Sequence, residues 1–580
     1  MSRRVAVVGA GQSGALLALA LRRDGYDVTL ATDRTADQVR HGPVLSSQCM
    51  FASALAVESD LGLTHWRGEV PVIDTMSITV CPPGNTHQAD QNTLRLLGAL
   101  DDPAASVDQR LKCALWMDEF VELGGRLEVC EVDAARLTDL QSTHDLTVVA
   151  TGKGQLAELF AVDHGRTVFD TPQRVSTMAY VTGMSPSPDG AELTMTVVPG
   201  VGECLTMPAL TDSGQCHIVL IEAVVGGPLD PAHGSGDSTD HLAYVHSALT
   251  GHFPEIAARA EKVEITDPHG SLRGALTPTV RRPVASLSCG GRVLGMADVV
   301  VLNDPITGQG SNNAVQSAHI YHQAIVARGE RAFDEAWMHR TFEKYWRGWG
   351  QWSVAWTNSM LSGMPAHVEK VFAEATALPA VATAIVRAFD DPRTAADWWF
   401  HPDDATRLLD SARRDAQSVV DRRELRRALG HYATGVTVIT ATTPEGRKVG
   451  ITANSFTSVS LDPPLVSFCP ARTAPSLPDF HAAGRFAVNI LAADQHDLSR
   501  QFATPSPDKF AGVEHSLSEH GTPLLDRVVA RFECRTVQHV DAGDHVIVLG
   551  EVEDFSACGG EPLVFHSGGY RLVTTHPDYS

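Results

Sequence analysis

Three groups of residues could do chemistry. The first is Gly9-Ala10-Gly11-Gln12-Ser13-Gly14, which follows an apolar run and opens a stretch with helical periodicity. Gly9 permits a tight turn, Gly11 lets the backbone approach a pyrophosphate, and Gly14 allows a helix to pack close on a strand. Gln12 and Ser13 begin that helix, whose positive end faces the phosphates. The pattern predicts a dinucleotide site. A carboxylate usually bonds the adenosine ribose at the end of the second strand. Here Thr32 stands there, followed by Asp33 and Arg34, and a neutral hydroxyl is the weaker partner. The second group is Asp298 followed by Pro305, Gly308, Gly310, Ser311, Asn312 and Asn313. The third is a run of short hydrogen-bonding side chains, Thr452, Asn454, Ser455, Ser458 and Ser460, with Ala453 among them. Arg472 and Ser476 follow and are suited to phosphate, and His545 begins a strand after Gly543-Asp544.

The second group decides between FAD and NAD. Ala297-Asp298, then Asp304 to Asn312, resembles the second FAD fingerprint of the p-hydroxybenzoate-hydroxylase-like flavoprotein monooxygenases. That pattern is Gly-Asp, a Pro, then Gly-x-Gly, so Ala297 departs from it. The resemblance implies that Asp298 bonds the flavin ribityl chain and that the Pro305–Asn313 turn opens a helix toward the isoalloxazine ring. To about residue 400 the chain is similar to the styrene and indole monooxygenase branch. Thr151-Gly152-Lys153 and Ala355-Trp356-Thr357-Asn358 carry that likeness. Arg110 matches a family arginine near the FAD, with a solvated surface arginine as the alternative. Residues 43–51 occupy the place of flavin and substrate contacts, which makes Ser46 and Ser47 the substrate candidates. The family's Arg and Asn there are replaced by Pro43 and Ser46. Members that use NADPH carry an Asp-Gly motif where this chain has Thr151-Gly152. The resemblance therefore implies that this part does not reduce its own flavin. Reduced FAD would react with O2 to a C4a-peroxide that passes one oxygen atom to a styrene-like or indole-like aromatic, or to a sulfide. The protein's task is to exclude water, and no acid or base side chain is required.

From about residue 421 onward the chain resembles the short-chain flavin reductases that partner two-component monooxygenases. His431 to Val438, Gly450 to Pro464 and Gly543-Asp544-His545 carry the likeness. It implies a split β-barrel, a homodimer formed through this domain, and NADH as the reductant of FAD. Thr452, Ala453, Asn454, Ser455, Ser458 and Ser460 would address the flavin pyrimidine edge, and Arg472 and Ser476 its phosphates. His545 would lie near the nicotinamide and tune hydride transfer, with turn anchoring as its alternative.

These groups need elements to hold them. A chain of 580 residues exceeds one ordinary core. The fold expected is α/β plus β. A Rossmann-like, p-hydroxybenzoate-hydroxylase-like FAD domain spans residues 1–175 and 290–330, and a β-rich substrate domain spans 176–289. A helical region follows at 331–402, a solvated helical linker at 403–427, and the split barrel at 428–580. Trp346, Trp349, Trp352 and Trp356 form a near-helical stripe that reads as packing. The net charge of -23 argues against a nucleic-acid groove. No apolar run is long enough for a membrane span, no signal segment is recognised, and the ten cysteines form no CxxC pair. Cytoplasmic residence with reduced thiols is expected, and no metal spacing is found. The rival reading is an NADH:flavin oxidoreductase whose first part is regulatory or inactive.

Overall fold

The structure is a computed structural model. It describes residues 3–46, 48–66, 68–82, 93–231, 241–417, 425, 428–504, 506 and 508–574. The chain divides into two compact units, residues 1–417 and 418–580.

The first unit holds two sheets. One has six strands in the order Val284–Ser286, Arg292–Gly295, Leu146–Val149, Arg4–Val8, Asp27–Thr32 and Arg126–Val129. Its pairings are parallel except at the Val284–Ser286 edge. Val5–Val8 is an unbroken apolar run and Leu146–Val149 is buried throughout, as expected of parallel strands covered on both faces. Helix Gln12–Arg23 lies on it with ten buried residues.

The second sheet has eight strands. Its main path runs Glu264–Ile265, Arg174–Thr182, Gly214–Val224, Gly202–Thr211, Leu193–Val198, Val72–Val80 and Leu94–Ala105. Ser271–Ala275 adds to Arg174–Thr182. Strands Val72–Val80 and Leu94–Ala105 thus leave the 1–175 stretch expected for the first domain. Met76 and Ile78, two residues apart, point to one face and bury there against Leu193 and Met195. Register aligns that face into cross-strand rows. Met178, Leu220, Leu205, Met195 and Ile78 stand opposite one another in turn. Tyr180, Ile218 and Met207 form the next row.

The stretch expected as a solvated linker is helical over Pro402–Gln417, but it packs into the first unit. Ala405, Leu409 and Ala412 are buried in the core beside Phe372, Val381 and Trp399. Their spacing of four and three makes one narrow apolar stripe on a helix otherwise full of Arg and Asp. Composition alone hid it.

The second unit is built on a seven-stranded antiparallel sheet. Its order is Lys448–Ala453, Thr437–Thr442, Arg485–Ile490, Ala530–Ala542, His545–Ala557, Pro464–Phe468 and Thr457–Leu461. Ile439, Phe468, Phe486, Val488 and Val548 form a core of its own. All ten cysteines are free. Among the described residues no helix is long and apolar enough to cross a membrane.

Leu409→Ala should destabilise the first unit by about 2–4 kcal/mol in denaturant unfolding, as a buried leucine does. A change within about 0.5 kcal/mol would mean a solvated helix after all.

Candidate functional site

The first Gly-rich turn is shaped by contacts that only glycine allows. Gly9 has φ 107°, and a Cβ there would lie 2.5 Å from the Ala150 carbonyl oxygen. A Cβ on Gly14 would meet the Gly9 carbonyl oxygen. Gly11 differs, because a Cβ on it would meet no protein atom within 4 Å. The protein does not need glycine there, and the space beside it is free for a ligand backbone to approach. Thr32 is buried, whereas Asp33 and Arg34 pair with each other at 3.6 Å beside it.

The second turn closes over a cavity of about 160 Å³. Asp298, Pro305, Gly308, Gly310 and Ser311 line one side, with Ser46 and Lys153. Met76, Met178, Leu193, Leu205, Met207 and Leu220, from the apolar rows of the second sheet, line the other. Burial pushes the Asp298 carboxyl up to about 6, against the opposing pull of Lys153. Ala297 sits at φ 53°, in the left-handed region. The glycine expected there would be relaxed, whereas alanine bears about 1–2 kcal/mol of strain. The turn geometry survives the departure from Gly-Asp at that cost.

Three expected contacts are redirected into the protein. Arg110 spends all five of its N–H groups: Nε and one terminal nitrogen on Asp108, both terminal nitrogens on Asp267, and one on the Gly42 carbonyl. The Arg110 hydrogen bonds hold Asp267 below its ordinary range. No donor is left for a flavin, and the surface alternative fails too, because the guanidinium is buried. Asn312 donates to the Cys49 and Gly308 carbonyls and accepts from the Phe51 N–H. Asn313 accepts from the Trp349 indole and donates to Ser353. Both amides knit the turn to its surroundings. What the helix Gly310–Arg328 still offers is the backbone N–H of its first turn. Ser47 lies outside the described residues.

Sequence reasoning missed several residues. Gln48 lines the cavity, is buried, and has no hydrogen-bond partner for either amide atom among the described residues. An unpaired buried amide costs about 1–3 kcal/mol per group, so its position favours a ligand that bonds to it. Lys112 and Glu58 form a fully buried ion pair at 2.9 Å. Glu58 also accepts from Gln12, and Gln109 donates to both Gln12 (3.1 Å) and Ser311 (3.2 Å). This chain of bonds ties the two Gly-rich turns together. Cys49 also faces the cavity, and burial raises its thiol to about 12.

In the second unit, Ser455 Oγ accepts from the Cys469 N–H at 2.9 Å, which sets the 452–458 loop beside residues 469–476. Ala471 bridges His545, so these segments form one edge. Thr452 donates to the Ser499 carbonyl, while Asn454 and Ser458 are exposed. The Ser460 hydroxyl accepts from the Asp462 N–H. Arg472 bonds the Gly543 carbonyl (2.9 Å) and pairs with Asp541 (2.8 Å). His545 pairs with Asp544 at 2.8 Å and is half exposed. Ser476 precedes helix Leu477–Ala483 without capping it through its side chain.

The profile described as "Flavin reductase like domain" matches residues 429–574. The profile described as "Styrene monooxygenase A putative substrate binding domain" matches residues 152–259. The NADH-dependent FMN reductase SmoA of Agrobacterium fabrum is 47% identical over 26% of this chain and 84% of its own length. Styrene monooxygenase StyA of Pseudomonas fluorescens is 29% identical over 63% of this chain and 87% of its own length. The solved flavin reductase of styrene monooxygenase from Pseudomonas putida S12 is 31% identical, with TM-score 0.25, over 26% of this chain and 99% of its own. Against two reductases of Rhizobium meliloti and one of Acinetobacter baylyi, the chain spans 49%, 66% and 48% of their length.

Lys112→Met should cost the first unit about 3–5 kcal/mol in chemical unfolding, because it leaves Glu58 buried and unpaired. Adding Glu58→Gln should recover most of that loss.

Proposed function

The chain belongs to the flavin reductase family through its second unit and fuses it to an oxygenase of the styrene monooxygenase type, and from that premise we propose that it is a self-sufficient flavin monooxygenase. The second unit reduces FAD with NADH. The first unit uses reduced FAD and O2 to epoxidise styrene-like or indole-like aromatics and to oxidise aryl sulfides. One observation carries this reading: a single cavity is walled on one side by the second Gly-rich turn and on the other by six Met and Leu side chains. Such a site brings an apolar molecule against whatever the turn holds.

The residues fit FAD. Gly11, Gly308 and Gly310 border space that no atom of the described residues fills. We assign the pyrophosphate to Gly9, Gly11, Gln12, Ser13 and Gly14, and the ribose to the segment Thr32, Asp33 and Arg34. The ribityl chain goes to Asp298 and the ring to Pro305, Gly308, Gly310 and Ser311. FAD, once reduced, supplies the dioxygen chemistry. The apolar rows seat the aromatic ring and keep water out. Gln48 offers a hydrogen bond to a ring N–H, which favours heteroaromatics of the indole kind. In the second unit, Thr452, Ala453, Asn454, Ser455, Ser458 and Ser460 would bind the flavin ring edge. Arg472 and Ser476 would bind its phosphates, and His545 would stand by the nicotinamide. Exposed Val459, Leu461 (90%) and Phe555 on that sheet support a homodimer through this unit. Ten free cysteines suit a reducing, cytoplasmic setting.

The test is NADH oxidation by the intact chain with FAD and O2, scored for styrene oxide, indole oxidation and aryl sulfoxide. Rapid NADH oxidation with no oxygenated product would favour the regulatory or inactive first unit. Asp298→Ala should abolish oxygenation and leave NADH:FAD reduction intact; joint loss would refute the division of labour. The Asp298 carboxylate accepts better ionised, and its pKa is about 6. FAD affinity of the first unit should therefore fall as pH drops through about 6. Asp298→Asn should remove that step in a flavin titration.

A further inference from the structure

One row of the cavity-facing sheet surface is not apolar. Ser176, Glu222 and Glu203 stand directly opposite one another on three neighbouring strands. Glu222 is 0% exposed and Glu203 5%. The cation among them is Arg174, itself 8% exposed, on the same strand as Ser176. It gives Nε (2.8 Å) and a terminal nitrogen (3.0 Å) to the two oxygens of Glu203 and a third N–H to the Gln173 carbonyl. A third carboxyl, Asp304 of the Gly-rich turn, is also buried and accepts from the Ile306 N–H. The Lys153 charge also bears on Asp304.

Among the described residues Glu222 has one side-chain hydrogen-bond partner. Its Oε2 lies 3.0 Å from Ser176 Oγ, and its Oε1 is buried with none. A bare carboxylate so placed would bear a heavy desolvation cost beside two other carboxyls, offset only in part by the Ser176 hydrogen bond and the charge of Arg174, whose N–H groups bond Glu203 and Gln173. A neutral acid avoids that cost but must bury its O–H proton against an acceptor. The acceptor in reach among the described residues is Ser176 Oγ. The serine hydroxyl proton is then free to turn into the cavity that Ser176 lines.

We infer that Glu222 is a neutral carboxylic acid that holds Ser176 as a hydrogen-bond donor to the cavity, so that this end of the site recognises an oxygen acceptor on an otherwise apolar aromatic molecule, such as an aryl sulfoxide or epoxide. Burial first, and then the charge of Asp304, keep the Glu222 carboxyl well above the ordinary range. The inference rests on the cavity being the substrate site. Its consequence is that oxygenated product binds more tightly than the sulfide or alkene it came from. Ser176 is a contact residue, and Glu222 is a positioning residue that acts through it.

The test is calorimetric binding of methyl phenyl sulfide and methyl phenyl sulfoxide to the full chain, saturated with oxidised FAD and without NADH. Ser176→Ala should weaken sulfoxide binding about fivefold, the worth of one neutral hydrogen bond, and leave sulfide binding unchanged. Glu222→Gln, whose amide N–H replaces the acid O–H, should keep the preference for sulfoxide. Infrared spectra at neutral pH should show a protonated-carboxyl band in the wild type that Glu222→Gln lacks. Equal loss of both ligands in Ser176→Ala, or no such band, overturns the inference and leaves the cavity assignment standing. Failure of the wild type to bind either ligand overturns the cavity assignment itself.

Discussion

Gln109 spends both amide hydrogens joining two parts of the chain that lie far apart in sequence. One goes to Gln12, the first residue of the helix after the first Gly-rich turn, and the other to Ser311, in the first turn of the helix after the second. Behind Gln12 stands Glu58, neutralised by Lys112. A buried ion pair is a poor source of net stability, but it tolerates little displacement, because either partner alone would be stranded in the core. The two helix N-termini are therefore held at a fixed spacing. Everything assigned to the flavin in the first unit depends on that spacing.

The segments around this anchor are fixed in the same way. Asn312 pins residues 49–51 to the second turn, and Arg110 pins Gly42 to Asp267. The wall carrying Ser46, Gln48 and Cys49 is thus tied by amide and guanidinium bonds, while the opposite wall is set by sheet register. One wall is specified by hydrogen bonds and the other by packing.

What the sequence disclosed follows from how local each requirement is. Gly9, Gly11 and Gly14 are legible because a turn, a close approach and a helix–strand contact each demand glycine at a set spacing. The helix Pro402–Gln417 was legible as a helix but not as a buried one, because three apolar residues sit among many charges. Arg110, Asn312 and Asn313 were legible as residue types that could bind a flavin. Their partners, Asp108, Asp267, Trp349 and Ser353, come from other elements, and no motif names them. Met76, Met178, Leu205, Met207 and Leu220 become one surface only through strand pairing. The β-rich character of residues 176–289 was the visible trace of it. Glu222 looked like one more acidic residue in a chain with many.

The thiol on the cavity wall bears on how long such a site can work. Oxidants attack the thiolate, and burial keeps Cys49 in its thiol form, so a peroxide released within the cavity finds a poor target there. Thioethers have no such protection, since their reactivity does not wait on ionisation. Met76, Met178 and Met207 face the same space. On the proposed function, oxidant leaked in the cavity would meet these three side chains, and a sulfoxide on any of them would make an apolar wall polar. Oxidative wear would then accumulate on the surface proposed to seat the substrate.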